Sequence, residues 1–424
     1  MKVLVVGGGG REHALCWALR RELPAGDLFA APGNPGTASL ASNLPIGPDD
    51  QERLIAAVEK HRIDLVVIGP EGPLARGLVD RLRAQGTRAF GPTGSAARIE
   101  ASKAFAKEVM AKAHVPTAAS RTFTDLAEAL AFADRHAEPM VVKASGLAAG
   151  KGAVVCSTRA EAHRTLTGML RDGWFGEAGR TVLVETFLEG EELSVLALTN
   201  GTEILLLPPA QDHKRLLDGD HGPNTGGMGA YCPVSLATPA LLERIADRVF
   251  RPTLGALAAE GAPFSGVLYA GLMIDPSGTP YVVEFNCRLG DPEAQVILPR
   301  ITSGFLDAIT ASATGAALPS LGIDPAPAVT TVLAAAGYPE DPRHGDLIRI
   351  PDRLPDEVLI FHAGTQQDQQ GHLRTNGGRV LSVTAVDPDF RAAQAKSLAA
   401  AEAIEFEGKQ FRRDIGWREA RRTS

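Results

Sequence analysis

Residues 141–152 read Val-Val-Lys-Ala-Ser-Gly-Leu-Ala-Ala-Gly-Lys-Gly, an apolar run ending in Lys143 and then a loop of small residues. Small side chains let the backbone approach a polyphosphate and offer N–H groups to it. Lys143 at the strand end adds a positive charge, and Gly150, Lys151 and Gly152 lie in the same loop. This is no Walker A loop, which needs G-x-x-x-x-G-K-[ST] opening a helix; Val154 and Val155 favour strand instead. The plain alternative is a flexible surface hairpin. Residues 182–192, Val-Leu-Val-Glu-Thr-Phe-Leu-Glu-Gly-Glu-Glu, lead from an apolar run into an acidic connector. Glu185 could accept from an adenine amino group, the backbone near Leu188 could donate to a ring nitrogen, and Glu192 suits a ribose diol. An acidic surface turn reads the same way. Residues 281–286, Tyr-Val-Val-Glu-Phe-Asn, set Glu284 and Asn286 two apart, on one face of a strand. Two adjacent oxygen ligands suit Mg²⁺ shared with phosphates, since that ion takes few ligands from protein. A solvated strand face has the same pattern, but here Arg288, Gly290, Asp291, Pro292 and Glu293 follow at once.

The elements that must position these residues follow from periodicity. Up to residue 90, strands at 2–6, 27–31, 64–68 and 87–90 alternate with helices at 12–23, 51–61 and 73–85. Such alternation implies a parallel sheet covered on both faces. Ser102 caps a helix over 103–112. Strands at 140–143, 153–156 and 181–185, with helices at 126–135 and 160–170, form a small separate lid. Strands at 192–199 and 203–207 flank the turn pair Asn200-Gly201, and 267–274 with 280–285 make a second hairpin. Between the hairpins lie a polar, Gly-rich stretch, 211–231, and a helix over 239–257. A loop of that length in a compact enzyme is usually functional or mobile. The Pro-rich residues 318–327 mark a boundary before strands at 328–335, 359–363 and 379–385 and a helix over 390–404. The fold class is multidomain, α/β and α+β: an N-terminal open parallel sheet, a core with a mobile lid, and a small C-terminal β-rich domain.

A chain of 424 residues, 44% hydrophobic and 22% charged, is ordinary globular composition for several domains. The net charge is −7 and no basic stripe stands out, so no nucleic-acid partner is suggested. Cys16, Cys156, Cys232 and Cys287 form no C-x-x-C pair, which implies neither a zinc site nor a redox dithiol. The first apolar run ends at Gly7, too early for a secretory signal. No stretch reaches the roughly 20 apolar residues of a membrane span. The expected compartment is the cytoplasm.

Gly7-Gly8-Gly9-Gly10 after a strand invites a dinucleotide-dependent oxidoreductase. The third glycine of G-x-G-x-x-G is missing, however, and the second strand ends in Pro32-Gly33-Asn34 without a ribose-binding acid. The run suits a phosphate at a helix N-terminus instead.

The order of motifs, a Lys-ended strand with a small-residue loop, an acidic connector and a Glu-x-Asn strand, resembles the ATP-grasp superfamily. Longer stretches are more specific: GGGGREHAL (7–15), PGNPGTA (32–38), GPEGPLARGLVD (69–80), SKAFAK (102–107), GLAAGKG (146–152), AQDHKRLLDGDHGPNTGGMGAY (210–231), GVLYAGLM (266–273), EFNCRLGDPEAQ (284–295), FHAGT (361–365) and GGRVLSVTA (377–385). Over essentially its whole length the chain resembles the phosphoribosylamine–glycine ligase family. It departs from the family pattern at Ser145, usually Asp, at Leu289, usually Phe, and at Cys287, usually a small apolar residue.

The resemblance implies ATP-dependent ligation of glycine to 5-phosphoribosylamine through glycyl phosphate, with Mg²⁺ or Mn²⁺. It implies domains at 1–101, at 102–121 with 191–325, at 122–190 (the lid) and at 326–424. By the same resemblance Lys103, Lys143, Gly150, Lys151 and Gly152 hold ATP phosphates, and Glu185, Leu188 and Glu192 hold the nucleoside. Glu284 and Asn286 hold the metal. Arg288 either clamps the glycine carboxylate or stabilises the transferring phosphoryl, and Asp212 and Asp291 are candidates for holding an amine. Gly9, Arg11, Glu12 and Asn34 line a phosphoribosyl site, with Glu71, Lys214 and Asn224 as further substrate contacts. A monomer is expected.

Overall fold

The structure, a computed structural model, describes residues 1–148 and 150–422; Ala149, inside the small-residue loop, and the last two residues lie outside the described residues. The strand Val3–Gly7 runs through the middle of a five-stranded parallel sheet, between Leu28–Pro32 and Leu65–Ile68. Every residue of Val3–Gly7 and Leu65–Ile68 is buried, which is why these strands are continuous apolar runs rather than alternating ones. The helix expected over 73–85 is two, Glu71–Ala75 and Leu78–Ala84, because Gly77 between them takes φ +76°. The sequence pattern does not predict the helix Gly94–Ala101. It is capped by Thr93 and runs into Ser102, whose side chain accepts from Phe105 N and caps Lys103–Lys112 as expected.

Two antiparallel sheets follow. In the lid the strand order is Ser120–Phe123, Val182–Thr186, Met140–Ala144, Ala153–Cys156. These strands and the helices Leu126–Ala133 and Arg159–Leu170 close on their own apolar core, including Phe123, Met140, Val142, Leu166 and Val184. In the larger sheet the order is Ile204–Leu206, Glu191–Thr199, Gly266–Ile274, Pro280–Asn286. The last pair carries a bulge. Gly271 opposes Glu284 and Leu272 opposes Val282, so Val283 is the extra residue.

Residues 211–231 are not one long loop. They hold the short strands Gln211–Asp212, Arg215–Leu217, His221–Asn224 and Gly229–Cys232. The first and last of these join Ala328–Ala334, Arg379–Val386 and Val358–His362 in the C-terminal five-stranded sheet. The stretch is thereby stitched to the C-terminal region by backbone ladders. Among the described residues, no helix is long and apolar enough to cross a membrane.

Candidate active site

Lys143 closes the lid strand Met140–Ala144 and is 5% exposed. Its Nζ lies 2.9 Å from Glu185 Oε2 on the neighbouring strand and donates to Val283 O at 2.9 Å. That carbonyl belongs to the bulge residue next to Glu284, so the lid lysine and the Glu-x-Asn strand meet in one place. Lys107 Nζ stands 3.3 Å from the other Glu185 oxygen and donates to Thr117 Oγ1 and Ala118 O. Glu185 is therefore buried between two lysines, and its Oε1 has no aligned hydrogen-bond donor.

Lys103 donates to Gly146 O at 3.1 Å, and its N–H and that of Ala104 are taken by the carbonyl and hydroxyl oxygens of Ser145. Two of the N–H groups left open at a helix start are thus satisfied by the lid. Ser145, one of the residues that depart from the expected pattern, supplies both acceptors. Burial pushes the Lys103 ammonium below its ordinary range, against the pull of Glu284, with Lys143 adding to the depression.

Glu284 and Asn286 share a face, both half-buried around buried Phe285. Burial would raise the Glu284 carboxyl, but Lys214, Lys143, Lys103 and Arg288 together hold it below its ordinary value, hence ionised. Lys214 Nζ sits 2.9 Å from Glu192 Oε2 and 3.7 Å from Glu284 Oε1, bridging the expected ribose and metal carboxylates. Among the described residues no group of three or more His, Cys, Asp or Glu is placed to hold a metal. A cation here would have two protein oxygens and would take the rest from phosphate and water. That matches Mg²⁺ habit, and an ionised Glu beside an amide oxygen fits it.

Arg288 lies between Glu100, at 2.8 Å, and Glu71, at 3.4 Å. Arg288 in turn helps hold Glu71 low, with Arg11, against a burial that would raise it. Asp291 accepts from Gln295 Nε2 at 2.7 Å and lies 3.3 Å from Arg379 Nη1; Arg379 and Arg11 keep it below the usual carboxylate range although it is half-buried. Asp212 is the opposite case. Burial, then the charge of Glu293, push its carboxyl well up, and its Oδ1 finds no donor in the protein.

A cleft of about 420 Å³ opens beside Asp291, lined by Gly8, Gly9, Gly33 and Asn34 from the N-terminal turns and by Gly364, Thr365, Asn376 and Arg379 from the C-terminal region. Gly9 and Asn34 line it directly. Arg11 and Glu12 stand behind it: Glu12, 3% exposed, accepts from Gly9 N at 2.7 Å and from Arg11 Nε at 2.7 Å, and so shapes the glycine turn from inside. Lys151 turns its ammonium to Pro339 O at 2.8 Å, tying the lid loop to the C-terminal region rather than to the site carboxylates. Gly150 takes φ +77° beside Thr225 O, and Gly152 is packed against Ala144 and Ala148. Leu188 lies in the connector between Val182–Thr186 and Glu191–Thr199, and Asn224 is paired with Arg215 across its hairpin. Sequence reasoning misses Glu100, Lys107, Thr365, Asn376 and Arg379. The SKAFAK, FHAGT and GGRVLSVTA stretches hold three of them, but no local pattern separates their roles.

Three family descriptions match the chain: phosphoribosylglycinamide synthetase N domain over residues 1–100, its ATP-grasp (A) domain over 101–294 and its C domain over 328–418. A phosphoribosylamine–glycine ligase of Ralstonia nicotianae is 48% identical, with all of both chains covered. One of Neisseria meningitidis serogroup B is 47% identical over 98% of each. The crystal structure of a phosphoribosylamine–glycine ligase from Thermotoga maritima superposes with a TM-score of 0.85 at 36% identity, covering 98% of this chain and 100% of that one. A biotin carboxylase–β,γ-ATP complex from Campylobacter jejuni, at 16% identity and TM-score 0.74 over 97% of this chain and 93% of that one, shows the shared fold alone. With a lysine-bearing lid closed onto a Glu-x-Asn strand and kinship along its whole length, the chain belongs to the phosphoribosylglycinamide synthetase family, the ATP-grasp enzymes known as phosphoribosylamine–glycine ligases.

Proposed function

We propose that the chain joins glycine to 5-phosphoribosylamine, with ATP as the driving substrate, through glycyl phosphate. The observation that carries this reading is the meeting of Lys143 with the carbonyl of Val283, beside Glu284, which gives a triphosphate cations on one side and a metal-binding face on the other. A carboxylate is a poor electrophile. Transfer of the γ-phosphoryl of ATP to a glycine carboxylate oxygen releases ADP and leaves a mixed anhydride. The amine of phosphoribosylamine then attacks the carbonyl carbon, phosphate departs with that oxygen, and the nitrogen sheds a proton. The products are glycinamide ribonucleotide, ADP and phosphate.

Lys103 and Lys143 hold the phosphates, and the connector around Glu185, Leu188 and Glu192 holds the nucleoside. Glu284 and Asn286 would hold Mg²⁺ or Mn²⁺, whose contribution when bound is to neutralise phosphate charge. Arg288 meets the anion being activated. Asp291, kept ionised, suits the amine as a charge partner, while Asp212, pushed up, suits the proton that the amine loses; two carboxyls driven apart by their surroundings divide such work. The cleft between Gly9, Asn34, Thr365 and Arg379 takes the phosphoribosyl group. Glycyl phosphate hydrolyses unless water is excluded, so the lid must close. Closure also strengthens each cation–phosphate contact, from ~1 kcal/mol in water to ~4 kcal/mol at an effective dielectric of 20 for a pair about 4 Å apart.

We place the working units at 1–101, 102–121 with 191–325, 122–190 and 326–424, and read the chain as a cytoplasmic monomer acting on small molecules. A coupled ADP assay with each substrate omitted in turn tests the reading. Full turnover is expected only with ATP, glycine and phosphoribosylamine together. Undiminished ADP release without glycine would overturn it.

A further inference from the structure

We propose that Glu100 is a positioning residue for this site: it fixes the Arg288 guanidinium at the end of the Glu284-x-Asn286 strand and so sets the geometry in which the substrate anion is met. The inference rests on the reading of Arg288 given above. Glu100 is 7% exposed and sits on the helix Gly94–Ala101. Its two oxygens serve two consecutive residues. Oε1 is 2.8 Å from Arg288 Nη2, while Oε2 accepts from Cys287 N at 2.8 Å and from the Cys287 thiol at 3.0 Å.

The other contacts of the guanidinium are looser. Nη1 donates to Leu289 O at 3.3 Å, Nη2 to Asn286 Oδ1 at 3.3 Å and Nε to Glu71 at 3.4 Å. Only Glu100 is both short and buried; the Glu71 side chain is 32% exposed. A planar guanidinium recognises an oxyanion through two parallel N–H groups, so its orientation decides whether it can grip. The backbone that carries Glu100 continues through Ser102 into Lys103, so the same carboxylate ties the anion clamp to the helix start that faces the phosphates.

The test uses the full chain and steady-state kinetics with glycine and ATP varied separately. Glu100→Gln keeps the size of the side chain and removes its charge. The expected result is a fall in kcat/KM for glycine of about tenfold to a hundredfold, as misplacement of a binding group produces, well beyond any change in KM for ATP, together with a lower Tm because Arg288 loses a buried partner. Glu100→Asp, which keeps the charge, should recover part of the loss. Cys287→Ala removes only the thiol contact and should leave glycine kinetics as they were. Unchanged glycine kinetics in Glu100→Gln, or equal losses for glycine and ATP, overturn the proposal. If Glu100→Gln does not fold, Glu100→Asp is measured in its place, and unchanged glycine kinetics there overturn it equally. Arg288→Lys separates the two layers. A loss there without one at Glu100 removes the positioning role alone, whereas no loss there removes the reading of Arg288 and this inference with it.

Discussion

Glu185 holds two ammonium groups inside the protein: its side chain is 4% exposed, that of Lys143 6% and that of Lys107 11%. Buried charges persist only when they are paired, and removing one partner leaves the other uncompensated. Glu185→Gln leaves two lysines facing an amide. The expected cost is about 3–5 kcal/mol, read as a lower urea midpoint with an unchanged slope. ATP weakening without any loss of stability would show that the lysines are solvated and that this account of Glu185 is wrong. Burial depresses Lys107, and Glu185 opposes that depression, so the pairing helps keep the cation charged where a phosphate would need it.

Elements meet at two seams that sequence alone does not reveal. The first is Gly227, in the stretch that carries Asp212 and Lys214. It takes φ +110°, and a Cβ there would fall 2.5 Å from Pro292 Cδ and 2.7 Å from Asp212 Oδ1. Gly227→Ala therefore pushes the stretch off the Asp291-Pro292 turn. The expectation is a loss in kcat of about tenfold or more with the ATP-induced thermal shift retained; normal kcat would mean the stretch tolerates displacement. The second seam is His13 against the C-terminal region, where His13 Nδ1 accepts from His362 N at 2.8 Å. Burial lowers His13 to about 3, with the charge of His362 adding to it, and lowers His362 to about 4, against an ordinary 6.5. The unfolded chain takes up these protons first, so the stability they contribute is present above about pH 6.5 and drains as pH falls toward about 4 for His362 and about 3 for His13. Denaturant midpoints should fall across that window, and replacing both histidines with Asn should flatten the fall; an equally steep fall in the double variant would place the acid sensitivity elsewhere.

Legibility follows from the same contrast. The N-terminal strands are continuous apolar runs because both faces are covered, and the helix Gln51–His61 stands as its periodicity predicts. The helix Gly94–Ala101 is short and opens on glycine, so Glu100 on it is invisible until its partners are. The strands within 211–231 are each two to four residues long, and two of them pair in the C-terminal sheet, which no local pattern announces. Lys143 and Glu284 can be picked out because each sits in a recognisable strand. Arg379 opens a recognisable strand too, but its value comes from Asp291, 88 residues earlier, which no local pattern shows.

At the scale of the whole molecule, four regions of the chain build two places, one where the lid meets the larger sheet and one beside Asp291. The lid brings Lys143, the larger sheet brings Glu284 and Asn286, and the N-terminal and C-terminal regions together wall the space beside Asp291. The proposed intermediate, glycyl phosphate, would have to be made and consumed without release. The most direct test is to supply glycine labelled with ¹⁸O in its carboxylate and weigh the phosphate released on complete turnover. Glycyl phosphate requires that one labelled oxygen pass from each glycine to phosphate. Phosphate free of label, with glycinamide ribonucleotide formed at the normal rate, would contradict activation of glycine at this site.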